Sequence, residues 1–212
     1  MLQHTLIVGT TGSGKSYTEH LIIDRMVADR SAQLVLVDPK RMELVDYAEC
    51  DLTSKYADNP STIYEAIVHA YDTMMVRFDS MRRDRVKEWQ YLPLYVFVDE
   101  MGALMNDPRH RKQYGTMLGD IAMMGRAARV FLVLCTQIPT RENLPNSIRD
   151  NMTNKVCLRL DDSSRARYVL GPGSSRWYED LPRIGKAYVR TPDMIERPER
   201  IDVDYICKVL DV

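Results

Sequence analysis

Apolar residues along this chain fall into short dense runs, separated by longer stretches in which they recur with helical period. Thr5 to Val8, Leu34 to Val37, Leu94 to Val98 and Val130 to Cys135 are almost wholly apolar. Runs of that length and density predict strands buried on both faces, as in the interior of a parallel sheet. Lys155 to Leu160 alternates polar and apolar residues, which places it nearer a sheet edge, and Gly185 to Arg190 is the last expected strand. A helix is predicted from Lys15 to about Asp29, with Tyr17, Leu21, Ile22 and Met26 available to its inner face. Asn59-Pro60-Ser61 opens a long helical pattern to about Tyr91, with Ile63, Ile67, Ala70, Tyr71, Met74, Met75, Phe78 and Met81 at helical spacing. Further helices are expected over Tyr114 to Arg126, from Pro145 through Asn151, over Ser163 to Leu170 and over Asp202 to Leu210. Strands alternating with helices predict an α/β fold, a mostly parallel sheet flanked by helices on both faces.

At 212 residues the chain suits a single domain spanning 1–212, long enough to bury a sizeable core. Lys+Arg 29 against Asp+Glu 30 gives a formal charge of −1, so any nucleic-acid contact must come from a local patch. Cys50, Cys135, Cys157 and Cys207 are scattered without metal-ligand spacing and read as reduced packing residues. No signal peptide or membrane-length apolar run is visible, so a cytoplasmic chain without membrane insertion of its own is expected.

The first strand runs into Gly9-Thr-Thr-Gly-Ser-Gly-Lys-Ser16, which fits the Walker A phosphate-loop pattern in full. Its glycines let the backbone curl and turn successive N–H groups inward. Gly9, Thr10, Thr11, Gly12, Ser13, Gly14, Lys15, Ser16 and Tyr17 are therefore the candidate nucleotide-binding residues. Lys15 can reach the outer phosphates of ATP, and Ser16 can place a hydroxyl on Mg2+. The helix that follows aims its positive end at the same anion.

Three other strand ends carry polar residues: Asp38, Asp99-Glu100 and Thr136-Gln137. In an open α/β sheet the ligand sits at the carboxyl ends of the strands, so these converge on one expected site. Asp99 after four apolar residues has the Walker B arrangement and is the second candidate for Mg2+. Glu100 points elsewhere and is the candidate base that polarises water. Gln137 can sense the terminal phosphate or orient the attacking water. Two basic loops, Arg109-His-Arg-Lys112 and Gly171-Pro-Gly-Ser-Ser-Arg176, are candidate phosphate contacts for a nucleic acid.

Several of these blocks together resemble the motor domain of the FtsK/SpoIIIE DNA translocases, within the FtsK–HerA group. They are the Walker A loop, Val37-Asp-Pro-Lys-Arg-Met-Glu-Leu44, Val96-Phe-Val-Asp-Glu100, Gly125-Arg-Ala-Ala128 and Val133-Leu-Cys-Thr-Gln-Ile-Pro139. Their order and approximate spacing match from near residue 5 to about residue 190. The resemblance implies a RecA-like P-loop ATPase working as a hexameric ring around double-stranded DNA. In such rings a neighbouring subunit supplies an arginine that stabilises charge on the transferring phosphoryl group. Arg126, Arg149 and the position of Lys155, where the family commonly has Arg, are the candidates. Thr-Gln-Ile-Pro stands where the family has Thr-Gln-Arg-Pro, and Gly-Arg-Ala-Ala-Arg where it has Gly-Arg-Ala-Ala-Gly. The alternative is an ATPase of a secretion or conjugation coupling system, moving protein or protein–DNA cargo with a membrane-bound or secretion partner. A nucleotide switch that hardly hydrolyses is opposed by Glu100 and Gln137, and a small-molecule kinase by the lack of an acceptor-binding lid.

Overall fold

The computed structural model describes residues 2–90, 92–172, 174, 184–194 and 198–212. Its centre is an eight-stranded sheet with strand order β3-β2-β4-β5-β1-β6-β7-β8. The strands are β1 (Thr5–Val8), β2 (Gln33–Val37), β3 (Thr53–Ala57), β4 (Leu94–Val98), β5 (Val130–Thr136), β6 (Asn154–Cys157), β7 (Lys186–Arg190) and β8 (Glu199–Asp202). From β3 to β6 every neighbouring pair is parallel, whereas β7 runs antiparallel to β6, and β8 to β7. The apolar runs thus occupy the middle of the sheet, where both faces need covering.

Residue parity decides which face each side chain serves. Leu6, Val8, Val96, Val98, Leu132 and Leu134 pack on one face against α2 (Pro60–Asp84), α3 (Met101–Met105), α4 (Arg111–Met124), α5 (Asn146–Arg149) and α6 (Ser163–Leu170). Ile7, Leu34, Tyr95, Phe97, Phe131 and Val133 pack on the other against α1 (Lys15–Ala28) and α7 (Ile206–Leu210).

The long helix α2 starts where its sequence says it should. Asn59 caps it, accepting from the backbone N–H groups of Ser61 and Thr62, and Pro60 fills the first helical position. It stops at Asp84, short of the expected Tyr91, because Arg85 turns left-handed at φ 55°. Met75 is 41% exposed and not inward, while Arg77 takes a buried place on the inner face. The Arg77 guanidinium donates to the carbonyls of Ala128 and Arg129 at 3.0 and 2.9 Å, and lies 5.1 Å from the centre of the Trp89 ring. Its charge is thus spread over carbonyls and a π face, which lets an arginine sit on the buried side of the helix.

Other expectations need correction. β6 lies inside the sheet and not at its edge: it pairs with β1 on one side, and antiparallel β7, followed by β8, covers the other. The edge strand β3 was not foreseen, since Thr53-Ser-Lys-Tyr lacks an apolar run and is partly exposed. β8 adds a strand after Gly185–Arg190. The helix expected from Tyr114 begins at Arg111, so Arg111 and Lys112 stand in its first turn and not in a loop.

Candidate active site

β1 ends at Val8, and the chain turns immediately into the glycine loop. Gly12 and Gly14 have φ of 74° and 95°, a region a Cβ makes costly. Gly9 is small for a different reason: a Cβ there would stand 2.8 Å from Cβ of Leu158 on the segment after β6. The loop is pinned from both neighbouring strands. The N–H of Gly9 donates to the Thr136 carbonyl at 3.3 Å, and that of Thr10 to the Arg159 carbonyl at 2.9 Å. Thr11 donates its hydroxyl to Oε1 of Gln137 at 3.2 Å, so Gln137 does reach the loop.

Gly14 is the N-cap of α1 and offers no side-chain cap, and the first turn carries no acidic residue. The opening N–H groups of this helix are left for an anion, with the helix dipole behind them. The Ser13 hydroxyl is buried with no hydrogen-bond partner. Uncapped helix, orphaned hydroxyl and Cβ-free backbone together fit a phosphate chain. Tyr17 points out of the helix, 53% exposed, and donates its hydroxyl to Asp204 at 2.9 Å, so it is not a core residue as its spacing suggested.

Lys15 is almost fully buried and turns toward β4. Its ammonium donates to Oδ1 of Asp99 at 2.5 Å and to the Asp99 carbonyl at 3.1 Å. Asp99 is wholly buried; despite the cost of burial, Lys15 and Lys40 hold its carboxyl below the usual carboxylate range. Lys40, from the loop after β2, lies 2.9 Å from Oδ2 of Asp99 and 3.7 Å from Oε2 of Glu100. Glu100 caps α3 by accepting from the Gly102 N–H at 3.3 Å, and the same oxygen accepts from the Thr136 hydroxyl at 2.9 Å. Its other oxygen is left on the side of Lys40. Beneath them, Glu19 of α1 is completely buried, its carboxyl pushed up to about 8 by burial, with Lys15 opposing and Asp99 reinforcing the shift. Burial also raises the thiol of Cys135 well above its usual value.

The structure therefore brings together the glycine loop, Lys15, Asp99, Glu100 and Gln137 from β1, β4 and β5. Ser16 opens α1 beside Lys15. Arg126 is exposed after α4, at the end of the sheet where β5 begins, opposite the glycine loop. Arg149 lies elsewhere again. It sits with Lys155, Arg167 and Tyr168 around a hollow of about 470 Å³, its guanidinium 4.2 Å from the Tyr168 ring centre and paired to Asp150 at 2.6 Å. Burial, with Arg149 and Arg190 adding repulsion, holds the Lys155 ammonium below its usual range. Of the two basic loops, Arg109, Arg111 and Lys112 are exposed around the start of α4, and Asp107 holds the turn by accepting from the Arg109 N–H at 2.8 Å. Gly173, Ser175 and Arg176 of the second loop lie outside the described residues.

Sequence reading passed over Arg159 and Arg165. Both line a cleft of about 550 Å³ beside Thr10 to Ser13 and Gln137. They follow a strand that reads as peripheral, which is why nothing flagged them. Among the described residues, no group of three or more His, Cys, Asp or Glu side chains could hold a metal ion unaided. Asp99 and Ser16 would have to share a cation with the phosphates of a nucleotide. No helix among the described residues is long and apolar enough to cross a membrane.

A strand, a glycine loop, a lysine-led helix and an acid pair on the second strand across are the parts of a P-loop ATPase fold. The chain belongs to the FtsK/SpoIIIE family, whose model matches residues 1–170. It is 33% identical to the FtsK domain-containing protein YdcQ of Bacillus subtilis over 196 residues, 88% of this chain and 40% of that protein. It is 26% identical to the DNA translocase FtsK of Chlamydia pneumoniae over 97% of this chain and 28% of that one. The chain thus spans well under half the length of these relatives. The pCW3 conjugation coupling protein TcpA, solved in its monomer form with ATPγS, superposes with a TM-score of 0.79 at 19% identity over 94% of this chain and 59% of TcpA. The α/β architecture expected from the apolar pattern is the one these parts share.

Proposed function

We propose that residues 1–212 form one ATP-hydrolysing motor domain that moves along double-stranded DNA as part of a ring, with six copies as the expected number. The observation that carries the reading is the convergence of Lys15, Asp99, Glu100, Thr136 and Gln137 on one mouth of the sheet in a chain of the FtsK/SpoIIIE family. The glycine loop and the N-terminus of α1 hold the phosphates of ATP. Lys15 leaves Asp99 to neutralise the outer phosphates. Ser16 and Asp99 are the residues that would hold Mg2+, which when bound neutralises charge on the phosphate oxygens. Glu100, aimed by the Thr136 hydroxyl and the Gly102 N–H, takes the proton of the attacking water through its second oxygen. Gln137, tethered to Thr11, reports the state of the terminal phosphate to the glycine loop.

The hollow lined by Arg149, Lys155 and Arg167 has an excess of cations and shares no lining residue with the cleft beside the glycine loop. We assign it to the nucleotide of an adjacent subunit, with Arg149 and Lys155 as the residues acting in trans. Arg126, at the other end of the sheet, is the weaker candidate. Arg109, Arg111 and Lys112 are assigned to the DNA backbone.

The test is ATP turnover with and without linear duplex DNA. The reading expects DNA to raise turnover, and the stimulation to fall steeply as salt rises. A second reading, a conjugation or secretion coupling ATPase, takes its support from the likeness to TcpA. That reading expects turnover indifferent to duplex DNA at low salt.

A further inference from the structure

Asp99 presents two oxygens, and each faces its own ammonium. Lys15 takes Oδ1, and Lys40 lies 2.9 Å from Oδ2. The function proposed above accounts for Lys15, which exchanges the carboxylate for phosphate. It leaves Lys40 unexplained. An ammonium at that distance and a divalent cation on the same carboxylate repel each other across a few ångströms in a water-poor site, so each weakens the other's hold.

The loop that delivers Lys40 is firmly anchored. Oδ2 of Asp38, itself wholly buried, accepts from the N–H groups of Glu43 and Leu44 at 3.0 Å each, and from the Tyr56 hydroxyl at 3.3 Å. Arg41, held left-handed at φ 64°, donates to the Asp58 carbonyl at 2.9 Å. A fixed backbone leaves the side chain as the moving part. Lys40 is 35% exposed, whereas Lys15 is 5% exposed, so only Lys40 has a short path to water.

We infer that Lys40 is an exchangeable counter-ion, a positioning residue that holds the Asp99–Glu100 pair in the absence of metal and competes with a divalent cation for Asp99. This inference rests on the assignment of Asp99 to the metal. Lys40 therefore competes with the cation and not with the nucleotide.

The experiment is titration calorimetry with ATPγS, in excess Mg2+ and in EDTA, on wild type, Lys40→Met, Lys40→Gln and Lys40→Arg. Met and Gln keep the stem and remove the charge. For both, the gain in ATPγS affinity on adding Mg2+ should grow on the order of tenfold, as when one close like charge is taken from beside the cation. Affinity in EDTA should stay within about twofold of wild type on the same ground, and Lys40→Arg should keep the wild-type gain. An unchanged gain in Met and Gln overturns the inference. So does an equal fall with and without Mg2+, which would make Lys40 a ligand of the nucleotide itself. Lys15→Ala, measured alongside, separates the two levels. If it binds ATPγS as wild type does, the assignment of the whole site fails; if it loses binding while the Lys40 variants show no altered gain, only the counter-ion role fails.

Discussion

Thr136, the last residue of β5, donates its hydroxyl to the Glu100 oxygen at 2.9 Å, linking the ends of two adjacent parallel strands. The same Glu100 oxygen caps α3, so two fixed donors occupy it and leave the other facing the Lys40 ammonium at 3.7 Å. For the base proposed above, this contact supplies the aiming. Thr136→Val removes the hydroxyl with little change in shape. Steady-state kinetics should show kcat falling about tenfold with KM within about twofold, since the loss is of an interaction felt in the transition state.

Gly9 tests the packing behind the loop. Gly9→Ala must displace the Ser13 hydroxyl, the nearest atom, and push Leu158 aside, since the added Cβ would stand 2.8 Å from Leu158 Cβ. Overpacking of this kind costs about 1–3 kcal/mol. Thermal melts should show the midpoint falling by several degrees, and ATPγS binding should weaken as the loop shifts.

Arg77 tests the far end of the sheet. Arg77→Ala takes the guanidinium donor from the Ala128 carbonyl, leaves the Arg129 carbonyl with only the Leu94 N–H at 2.9 Å, and strips Trp89 of its partner cation. Denaturant unfolding should report a loss of roughly 2–4 kcal/mol. ATPγS affinity of the folded fraction should hardly change, since Arg77 is at the opposite end of the strands from the glycine loop.

Two buried groups set the pH dependence of stability, with opposite signs. His4 is buried, accepts from the Leu132 N–H at 3.0 Å, and is held neutral down to about 4, by burial first and then by Arg126. The unfolded chain binds that proton near 6.5, so the His4 contribution is complete above 6.5 and is lost as pH falls toward 4. Glu19 is the reverse: its folded carboxyl holds a proton up to about 8, against 4.5 unfolded, so its contribution is present below 4.5 and is lost as pH rises toward 8. Between 6.5 and 8 only Glu19 acts, and melting temperature should decline there. Glu19→Gln should flatten that decline, as followed by melts in buffers across the range. His4→Gln should do the same for the fall on the acid side.

Much of this was legible in the chain because the strands that carry the site are those buried on both faces. Leu94–Val98 and Ser163–Leu170 lie where the apolar pattern puts them, and the polar residues just past β1, β4 and β5 do converge. What escaped was set by tertiary context. β3 pairs on one side only and needs no apolar run. Arg77 was not among the inward positions of the helical stripe, because nothing in sequence reveals the two carbonyls that receive it. Met75 fitted the helical period but faces outward, since the period fixes a stripe and not its width. The pairing of Lys40 with Asp99 joins residues 59 apart in number, and no local pattern encodes it.

The central claim is that Glu100 removes the proton of the water that attacks ATP held by the glycine loop. Its most direct test is single-turnover hydrolysis by Glu100→Gln, with ATPγS binding measured on the same protein. The account predicts binding within a few-fold of wild type and hydrolysis slower by about a hundredfold or more. Hydrolysis at the wild-type rate with binding intact would contradict it.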